Sequence, residues 1–294
     1  MKILLISANV ATSPYPVYPL GMAMVAAALK EAGHEVALFD FLHNSQSYEK
    51  VADAVEDFGP QVVGISIRNV DNVNAAHEER YIDAVGRIVD AVRHSCGAPV
   101  VLGGSGFSVM PDAVLAKVGA DYGVVGEGEQ LMCELADALE RGKPPAAPIL
   151  RAPLQMVDRA IPSAFYDTTL MGFYQENGRM VSVQTKRGCN KNCIYCSYPV
   201  LEGKRLRARA PAAVVDDIEY LLGERHAEYV FFVDSVFNDS EGHYRDLVEE
   251  MHRRRINVKW TAFFTPGGDL DDDIVQKMKD TGLHAAEIGA DAAA

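Results

Sequence analysis

The chain has 294 residues, of which 48% are hydrophobic and 23% are charged, and its formal net charge is −13. These proportions exclude an intrinsically disordered chain, and the acidic balance disfavours non-specific binding to nucleic acid or anionic lipid. Because the apolar stretch at the N-terminus is too short for a signal peptide or a transmembrane segment, and five cysteines suit a disulfide framework poorly, we expect a cytoplasmic protein with no nucleic-acid partner.

The first half of the chain alternates short apolar runs with helical patterns. The run at 2–7 is rich in isoleucine and leucine, and residues 20–33 carry apolar residues at helical spacing and end at a glycine. Strands that are apolar throughout and separated by helices indicate a parallel sheet covered on both faces. Residues 1–142 are therefore predicted to form a doubly wound α/β domain of the Rossmann or flavodoxin type. Its predicted strands are 2–7, 35–40, 62–67, 99–104 and 122–127.

Ligands of such open sheets bind beyond the carboxyl ends of the strands. Small residues and glycines follow the third, fourth and fifth predicted strands at that edge. Glycine lets a ligand approach the backbone closely, but glycine after a parallel strand is as often only a tight turn. The candidate binding residues here are Ser66, Gly103, Gly104, Gly106, Gly126, Glu127 and Gly128.

A proline-rich stretch at 141–155 has no amphipathic period, and residues 143–178 are predicted to link two domains. A second α/β unit is predicted over 179–294, where strands and helices alternate at the pace of a β/α barrel. Four strands fit into it, so we expect a partial barrel and a chain that is a fragment of a longer protein. These strands are predicted at 181–188, 229–234, 258–264 and 284–290.

Cys189, Cys193 and Cys196 form a C-x3-C-x2-C pattern after the first strand of the second domain. Thiolates select zinc, copper(I) or iron–sulfur clusters. A structural zinc site usually takes four ligands in two separated pairs, and the remaining cysteines, Cys96 and Cys133, lie in the first domain. Three cysteines on one loop would leave one iron of a [4Fe–4S] cluster open to a reactant. A zinc loop completed by a histidine or carboxylate, or thiols with no ligand, are the alternatives.

With Tyr195 before the last cysteine and the loop leaving a first barrel strand, the pattern resembles the cluster motif of radical S-adenosylmethionine (SAM) enzymes. The resemblance implies that the cysteines hold a [4Fe–4S] cluster whose fourth iron is chelated by SAM. It also implies that reductive cleavage of SAM produces a 5′-deoxyadenosyl radical.

Other positions follow from the same resemblance. Asp234 and Ser235, after the second barrel strand, are implied acceptors for the SAM amino group. Glu287, in the fourth strand, is implied to accept from the ribose hydroxyls, and Gly289 to permit close approach. For Glu287 the alternative is a local ion pair with an arginine.

The basic run at 204–209 follows the cysteine loop. Such a run is usually a solvated face. Because of its position, Arg207 or Arg209 is a candidate to pair with the SAM carboxylate.

A doubly wound domain ahead of a radical SAM barrel resembles the B12-dependent class of radical SAM enzymes, over nearly the whole chain. The resemblance implies that the candidate residues of the first domain surround the nucleotide tail of cobalamin. The alternative for Ser66 is a strand-end hydroxyl that bonds the backbone. Cobalamin domains of the mutase type carry a cobalt-ligating histidine after the first strand, but residues 8–13 contain none, so no histidine ligand is expected from this loop.

The resemblance implies an enzyme that uses a [4Fe–4S] cluster, SAM and cobalamin to methylate an unactivated carbon. Radical cyclisation or rearrangement is an alternative outcome, and a non-catalytic cobalamin, nucleotide or electron-transfer protein is an alternative class. The implied partners are a small-molecule, natural-product or lipid substrate, and an external electron donor of the flavodoxin or ferredoxin type.

Overall fold

The structure is a computed structural model that describes residues 1–72, 74–151, 161–267 and 269–289. These residues form two compact units, one around the N-terminal sheet and one around the C-terminal sheet. Within the described ranges, no helix combines the length and the apolar character needed to cross a membrane.

The described part of the first unit contains a six-stranded parallel sheet in the order β2-β1-β3-β4-β5-β6. Its strands are β1 (Lys2–Ser7), β2 (Glu35–Asp40), β3 (Val62–Ser66), β4 (Val100–Gly103), β5 (Tyr122–Val125) and β6 (Ile149–Arg151). Its helices are α1 (Leu20–Glu31), α2 (Tyr48–Phe58), α3 (Tyr81–Ser95), α4 (Ser105–Val109), α5 (Pro111–Val118) and α6 (Gly128–Glu140). The predicted doubly wound α/β fold is confirmed.

Local signals account for the helix ends. At α2, for example, the side chain of Ser47 accepts from the N–H of Lys50, and Gly59 ends the helix in the left-handed conformation. The pairing register aligns the carboxyl ends of three strands, because Ser7 pairs with Ser66 and Ser66 pairs with Gly103. The loops after β1, β3 and β4 therefore leave the sheet at one edge.

The sixth strand was not predicted, because β6 lies in the segment read as a linker. Its residue Leu150 pairs with Val124, and the carbonyl of Pro148 accepts from the N–H of Gly123. Proline cannot donate to a ladder, but it can accept at the start of an edge strand. The proline-rich composition therefore hid a short edge strand.

In the second unit, the described residues form a parallel sheet in the order β12-β11-β10-β7 and a separate antiparallel pair, β8-β9. The strands are β7 (Val181–Val183), β8 (Lys186–Arg187), β9 (Arg207–Ala208), β10 (Tyr229–Phe232), β11 (Lys259–Phe264) and β12 (Leu283–Ile288). The helices are α7 (Thr168–Gly178), α8 (Tyr198–Leu201), α9 (Pro211–Arg225), α10 (His243–Arg253) and α11 (Asp272–Asp280). The expected α/β succession of four parallel strands with intervening helices is present.

The single tryptophan of the chain, Trp260, lies in the core of this unit. It is fully buried on β11, with ring centroids 5.5 Å from Phe232 and 5.2 Å from Phe237. Because Phe237 belongs to the loop after β10, this loop is anchored on the core.

Candidate functional site

The cysteine loop is closed by a short antiparallel stem. Strands β8 and β9 form it, with Arg187 paired to Arg207. Next to the stem, the N–H of Cys189 donates to the carbonyl of Gly203 at 3.1 Å, and the N–H of Gly188 donates to the Glu202 carboxylate at 3.1 Å. The stem fixes both ends of the loop, and residues 188–197, which contain the cysteines, form neither helix nor strand.

The three cysteines of the loop are free thiols. Cys189 is buried, Cys193 is exposed and Cys196 is partly buried, and the N–H of Cys196 donates to the carbonyl of Cys193 at 3.2 Å. Nowhere in the described ranges do three His, Cys, Asp or Glu side chains form a ready-made metal site, so the thiols do not converge in this conformation. Three thiols that form no disulfide and share one loop are a donor set suited to an iron–sulfur cluster. Because metal binding is coupled to folding, such a loop can close around the cluster when it binds.

Glu202 lies beside this stem and was not singled out from the sequence. One carboxylate oxygen accepts from the N–H of Gly188, as described, and from the hydroxyl of Ser235 at 3.3 Å, while the other accepts from the amide of Gln184 at 3.2 Å. Burial raises the pKa of this carboxyl, although Gly188, Arg187 and Ser235 act in the opposite direction. Glu202 therefore joins the cysteine loop to the loop after β10.

Asp234, predicted to contact SAM, is almost fully buried at the end of β10. One oxygen accepts from the N–H groups of Thr185 at 2.7 Å and Lys186 at 3.1 Å, and the other accepts from the hydroxyl of Thr185 at 2.5 Å. These bonds hold the segment between β7 and β8. In this structure Asp234 fixes the chain leading to the cysteines.

Lys186 lies in the same buried cluster. Its ammonium donates to the carbonyl of Phe237 at 2.9 Å and lies 3.2 Å from Asp239 and 3.5 Å from Asp234. Only 1% of the Lys186 side chain is exposed, and the same holds for Asp234. One buried cation thus stands between two buried carboxylates.

Asp239 connects this cluster to a helix. Its carboxylate accepts from the N–H groups of His243 at 3.3 Å and Tyr244 at 3.2 Å, at the start of α10. Burial alone would raise the pKa of Asp239, but the Lys186 ammonium and these N–H groups hold it below its ordinary value. The carboxylate is therefore stabilised in its charged form.

The other residues predicted to contact SAM have different surroundings. Arg207 is partly buried and donates to the backbone carbonyl of Glu202 at 3.0 Å, and the side chain of the same glutamate accepts from Ser235. Arg209 is buried, with its guanidinium 2.7 Å from Asp217, so it is engaged within the protein.

Glu287 and Gly289 lie at the edge of the parallel sheet that is opposite β7. Glu287 is exposed on β12, where it pairs in register with Phe263. A Cβ added at Gly289 would meet no atom of the described residues within 4 Å. The structure thus brings Ser235, Arg207 and Glu202 together with the cysteine loop, and it places Glu287 two strands away from β10.

At the carboxyl edge of the sheet in the first unit, the packing of the protein itself requires two of the candidate glycines. Gly104 has φ +92, and a Cβ there would lie 2.5 Å from the carbonyl oxygen of Ile67, while a Cβ at Gly106 would lie 3.1 Å from the carbonyl of Arg68. The loop after β4 therefore packs against the loop after β3. Close packing of backbone explains these two glycines without a ligand.

A serine joins the two glycine loops of this edge. The hydroxyl of Ser108 donates to the carbonyl of Gly104 at 2.9 Å and accepts from the N–H of Gly126 at 3.0 Å. Ser66 ends β3 beside them, and its carbonyl accepts from the N–H of Ala8 at 3.1 Å. The remaining candidates of this edge, Gly103, Glu127 and Gly128, lie at the end of β4 and at the start of α6.

Two family matches cover most of the chain. Residues 6–136 match the B12 binding domain family. Residues 183–294 match the Radical SAM superfamily.

Curated relatives share this pair of regions at low identity. Tryptophan 2-C-methyltransferase of Streptomyces laurentii is 26% identical over 347 aligned residues, which cover 94% of this chain and 57% of that protein. An uncharacterized methyltransferase of Pyrococcus horikoshii is 26% identical over 295 residues, which cover 94% of this chain and 61% of that protein. The chain therefore spans less than two thirds of the length of these relatives.

A solved structure gives the same match in three dimensions. The radical SAM methyltransferase TsrM from Kitasatospora setae, with cobalamin and a [4Fe–4S] cluster bound, superimposes with a TM-score of 0.85 at 27% identity. The alignment covers 99% of this chain and 59% of that one. The chain therefore carries a B12 binding domain followed by a Radical SAM superfamily domain.

Proposed function

We propose that the chain is the cofactor-binding part of a cobalamin-dependent radical SAM methyltransferase that acts on an unactivated carbon of a small molecule. The cysteine loop, closed by its own stem beside a parallel sheet, carries the proposal. The relative that methylates C2 of tryptophan and the cobalamin-bound TsrM structure support it.

Cys189, Cys193 and Cys196 would hold the [4Fe–4S] cluster, since their thiols share one loop and none is in a disulfide. When bound, the cluster supplies the electron for cleavage of SAM, and cobalamin supplies the methyl carrier. An external donor of the flavodoxin or ferredoxin type is part of the proposal, as is a cytoplasmic location, because thiolate ligands need a reducing compartment.

The chain's own groups would orient SAM at the edge of this loop. Ser235 presents a hydroxyl that suits the SAM amino group, and Arg207 is a cation that suits the carboxylate. Asp234 is already saturated by Thr185 and Lys186, so its part in the site is to hold the loop. At the far strand, the exposed carboxylate of Glu287 would accept from the ribose hydroxyls, with Gly289 beside it.

In the first unit, the cobalamin tail would lie at the carboxyl edge of the sheet, where the loops after β3, β4 and β5 meet. The residues assigned to it are Ser66, Gly103, Gly104, Gly106, Gly126, Glu127 and Gly128.

Anaerobic reconstitution of the full-length protein with iron, sulfide and hydroxocobalamin tests the proposal. We expect bound iron and a bound cobalamin spectrum. After addition of dithionite and methyl-deuterated SAM, mass spectrometry should detect deuterated methylcobalamin and 5′-deoxyadenosine. The variant Cys193→Ala should lose the 5′-deoxyadenosine. A wild-type protein that takes up neither cofactor, or product that survives in Cys193→Ala, would overturn the proposal.

A further inference from the structure

Lys186 is a buried cation that nothing in the motif of three cysteines requires. Its ammonium is removed from water on β8, so its charge must be compensated within the protein. The compensation comes from Asp234 and Asp239, and the carbonyl of Phe237 accepts a further hydrogen bond. A buried lysine with two carboxylate partners is costly to assemble, and such clusters fix the geometry of the segments they join.

The two carboxylates belong to a different segment from the lysine. Lys186 lies in the stem of the cysteine loop, three residues before Cys189. Asp234 and Asp239 both lie in the loop between β10 and α10, which also contains Ser235. Together with the bonds that Asp234 accepts from Thr185 and Lys186, the ammonium holds the start of the cysteine loop against the β10–α10 loop.

The β10–α10 loop is held from its other side as well. The ring of Phe237 packs on Trp260, and the Lys186 ammonium lies 5.2 Å from the centroid of the same ring. Asn238 accepts from the N–H of Thr265 at 2.9 Å, which ties the loop to the end of β11. With the core on one side and Lys186 on the other, the loop has one defined position relative to the stem.

We propose that Lys186 is a positioning residue that sets the distance between the cysteine loop and the SAM-binding loop after β10. The proposal rests on the proposed function for the identity of the two ligands. It predicts that loss of the ammonium leaves the three thiols able to bind iron, but misplaces Ser235 relative to the cluster. Supporting residues of metal sites typically contribute about 10–100-fold in affinity or activity when they are removed.

The test compares three variants of the full-length protein after anaerobic reconstitution. Lys186→Met removes the buried charge at similar length. Lys186→Met with Asp239→Asn also removes one buried carboxylate, so that the cluster regains the net charge that it has in the wild type. Lys259→Met is the matched control, because it removes an exposed lysine from β11 of the same unit.

Two readouts are needed besides turnover. The first is iron content per chain, with the emission of Trp260 as a measure of native packing in this unit. The second is the electron paramagnetic resonance spectrum of the reduced cluster, recorded while SAM is titrated. We expect wild type and Lys259→Met to change spectrum at the same SAM concentration. The double variant should keep native emission, and both Lys186 variants should bind iron and require about 10-fold more SAM or show no change of spectrum.

The outcomes separate this proposal from the proposed function. A wild-type protein without a cluster overturns the proposed function, and with it the role given to Lys186. A wild-type protein that binds the cluster and SAM, together with a folded Lys186 variant that has the wild-type SAM midpoint, overturns the positioning role alone. If the double variant does not keep native emission, Lys186 serves folding in general and the positioning role is likewise overturned.

Discussion

Gly188 and Arg205 approach each other so closely that only glycine fits at position 188. Gly188 has φ +91, and a Cβ built there would overlap the carbonyl group of Arg205. The contact lies where the chain leaves β8 and enters the cysteine loop. The glycine before the first cysteine is therefore a steric requirement of the loop's closure.

The substitution Gly188→Ala should disrupt the stem. The methyl group would force the segment around Arg205 away, and the backbone would be strained at positive φ, which together cost about 1–3 kcal/mol. We expect a lower iron content after reconstitution, measured against protein concentration, while hydroxocobalamin binding to the first domain is unchanged.

Gly223→Ala is the matched control for that substitution. Gly223 lies inside α9, and a Cβ there meets no atom within 4 Å. Alanine favours the helix by about 0.5–1 kcal/mol relative to glycine, so iron content should be preserved and stability slightly raised. Equal iron content in Gly188→Ala and Gly223→Ala would show that the stem tolerates a side chain.

Cys193 and Cys133 should differ in their reactivity towards an alkylating reagent. Cys193 is exposed, whereas Cys133 is partly buried on α6. Burial, with the carboxylates of Asp137 and Glu134, raises the pKa of the Cys133 thiol to about 11. The thiolate is the reactive form of cysteine. Because its pKa is raised, little of the Cys133 thiolate is present at neutral pH.

We therefore expect iodoacetamide at pH 7.5 to modify Cys193 of the apo protein well before Cys133, as followed by peptide mass spectrometry. In urea both should react at similar rates, because the burial of Cys133 is lost. Reconstitution with iron and sulfide should protect Cys193 and leave the rate at Cys133 unchanged. Faster labelling of Cys133 than of Cys193 in the native protein would contradict the structure.

The parallel sheet of the first unit was predictable because its signal is local. A run such as 2–7 is apolar at its four central positions, and β1 has the predicted bounds. The edge strand β6 was not predictable, because an edge strand of three residues owes its existence to pairing with β5. Its pairing partner lies more than twenty residues away, outside the window of any periodicity argument.

The same distinction between local and long-range signals applies to the residues of the candidate site. The spacing of the three cysteines is visible in the sequence, whereas the buried contacts of Lys186 join residues about fifty positions apart. Glu202 did leave a sequence signal, since it is the only acidic residue between Lys186 and Arg209. A lone carboxylate in a basic segment next to a metal motif indicates a specific partner, and this one accepts from Gly188 and Ser235.

In the first unit, Ser108→Ala should weaken cobalamin binding. The substitution removes the group that joins Gly104 to Gly126, and it leaves the N–H of Gly126 without this partner at a cost of about 1–3 kcal/mol. A hydroxocobalamin titration followed by visible absorbance should show a higher Kd. Ser95→Ala is the control, because its hydroxyl bonds Glu56 at an exposed site distant in sequence from both loops. An unchanged Kd in Ser108→Ala would remove this bridge from the cobalamin site.

The stability of the second unit should depend on the charge of Asp239. Its pKa is held below the ordinary value, with the Lys186 ammonium as the principal stabilising partner. A carboxyl with a depressed pKa in the folded state contributes stability above its unfolded pKa of about 4, and this contribution is lost as the pH falls through the lower, folded value. The contribution is therefore present at pH 7 and declines as the pH falls below about 4.

Trp260 makes this dependence measurable in one unit, because it is the only tryptophan and lies next to Phe237 in that core. Urea unfolding followed by its emission should give a lower midpoint for Asp239→Asn than for wild type at pH 7. The difference should shrink as the pH is lowered below about 4 and the wild-type carboxyl takes up a proton. Asp272→Asn is the control, since this carboxylate is exposed on α11 and its substitution should leave the pH dependence unchanged. A difference between wild type and Asp239→Asn that is constant with pH would show that the lost hydrogen-bond geometry, rather than the charge facing Lys186, stabilises the unit.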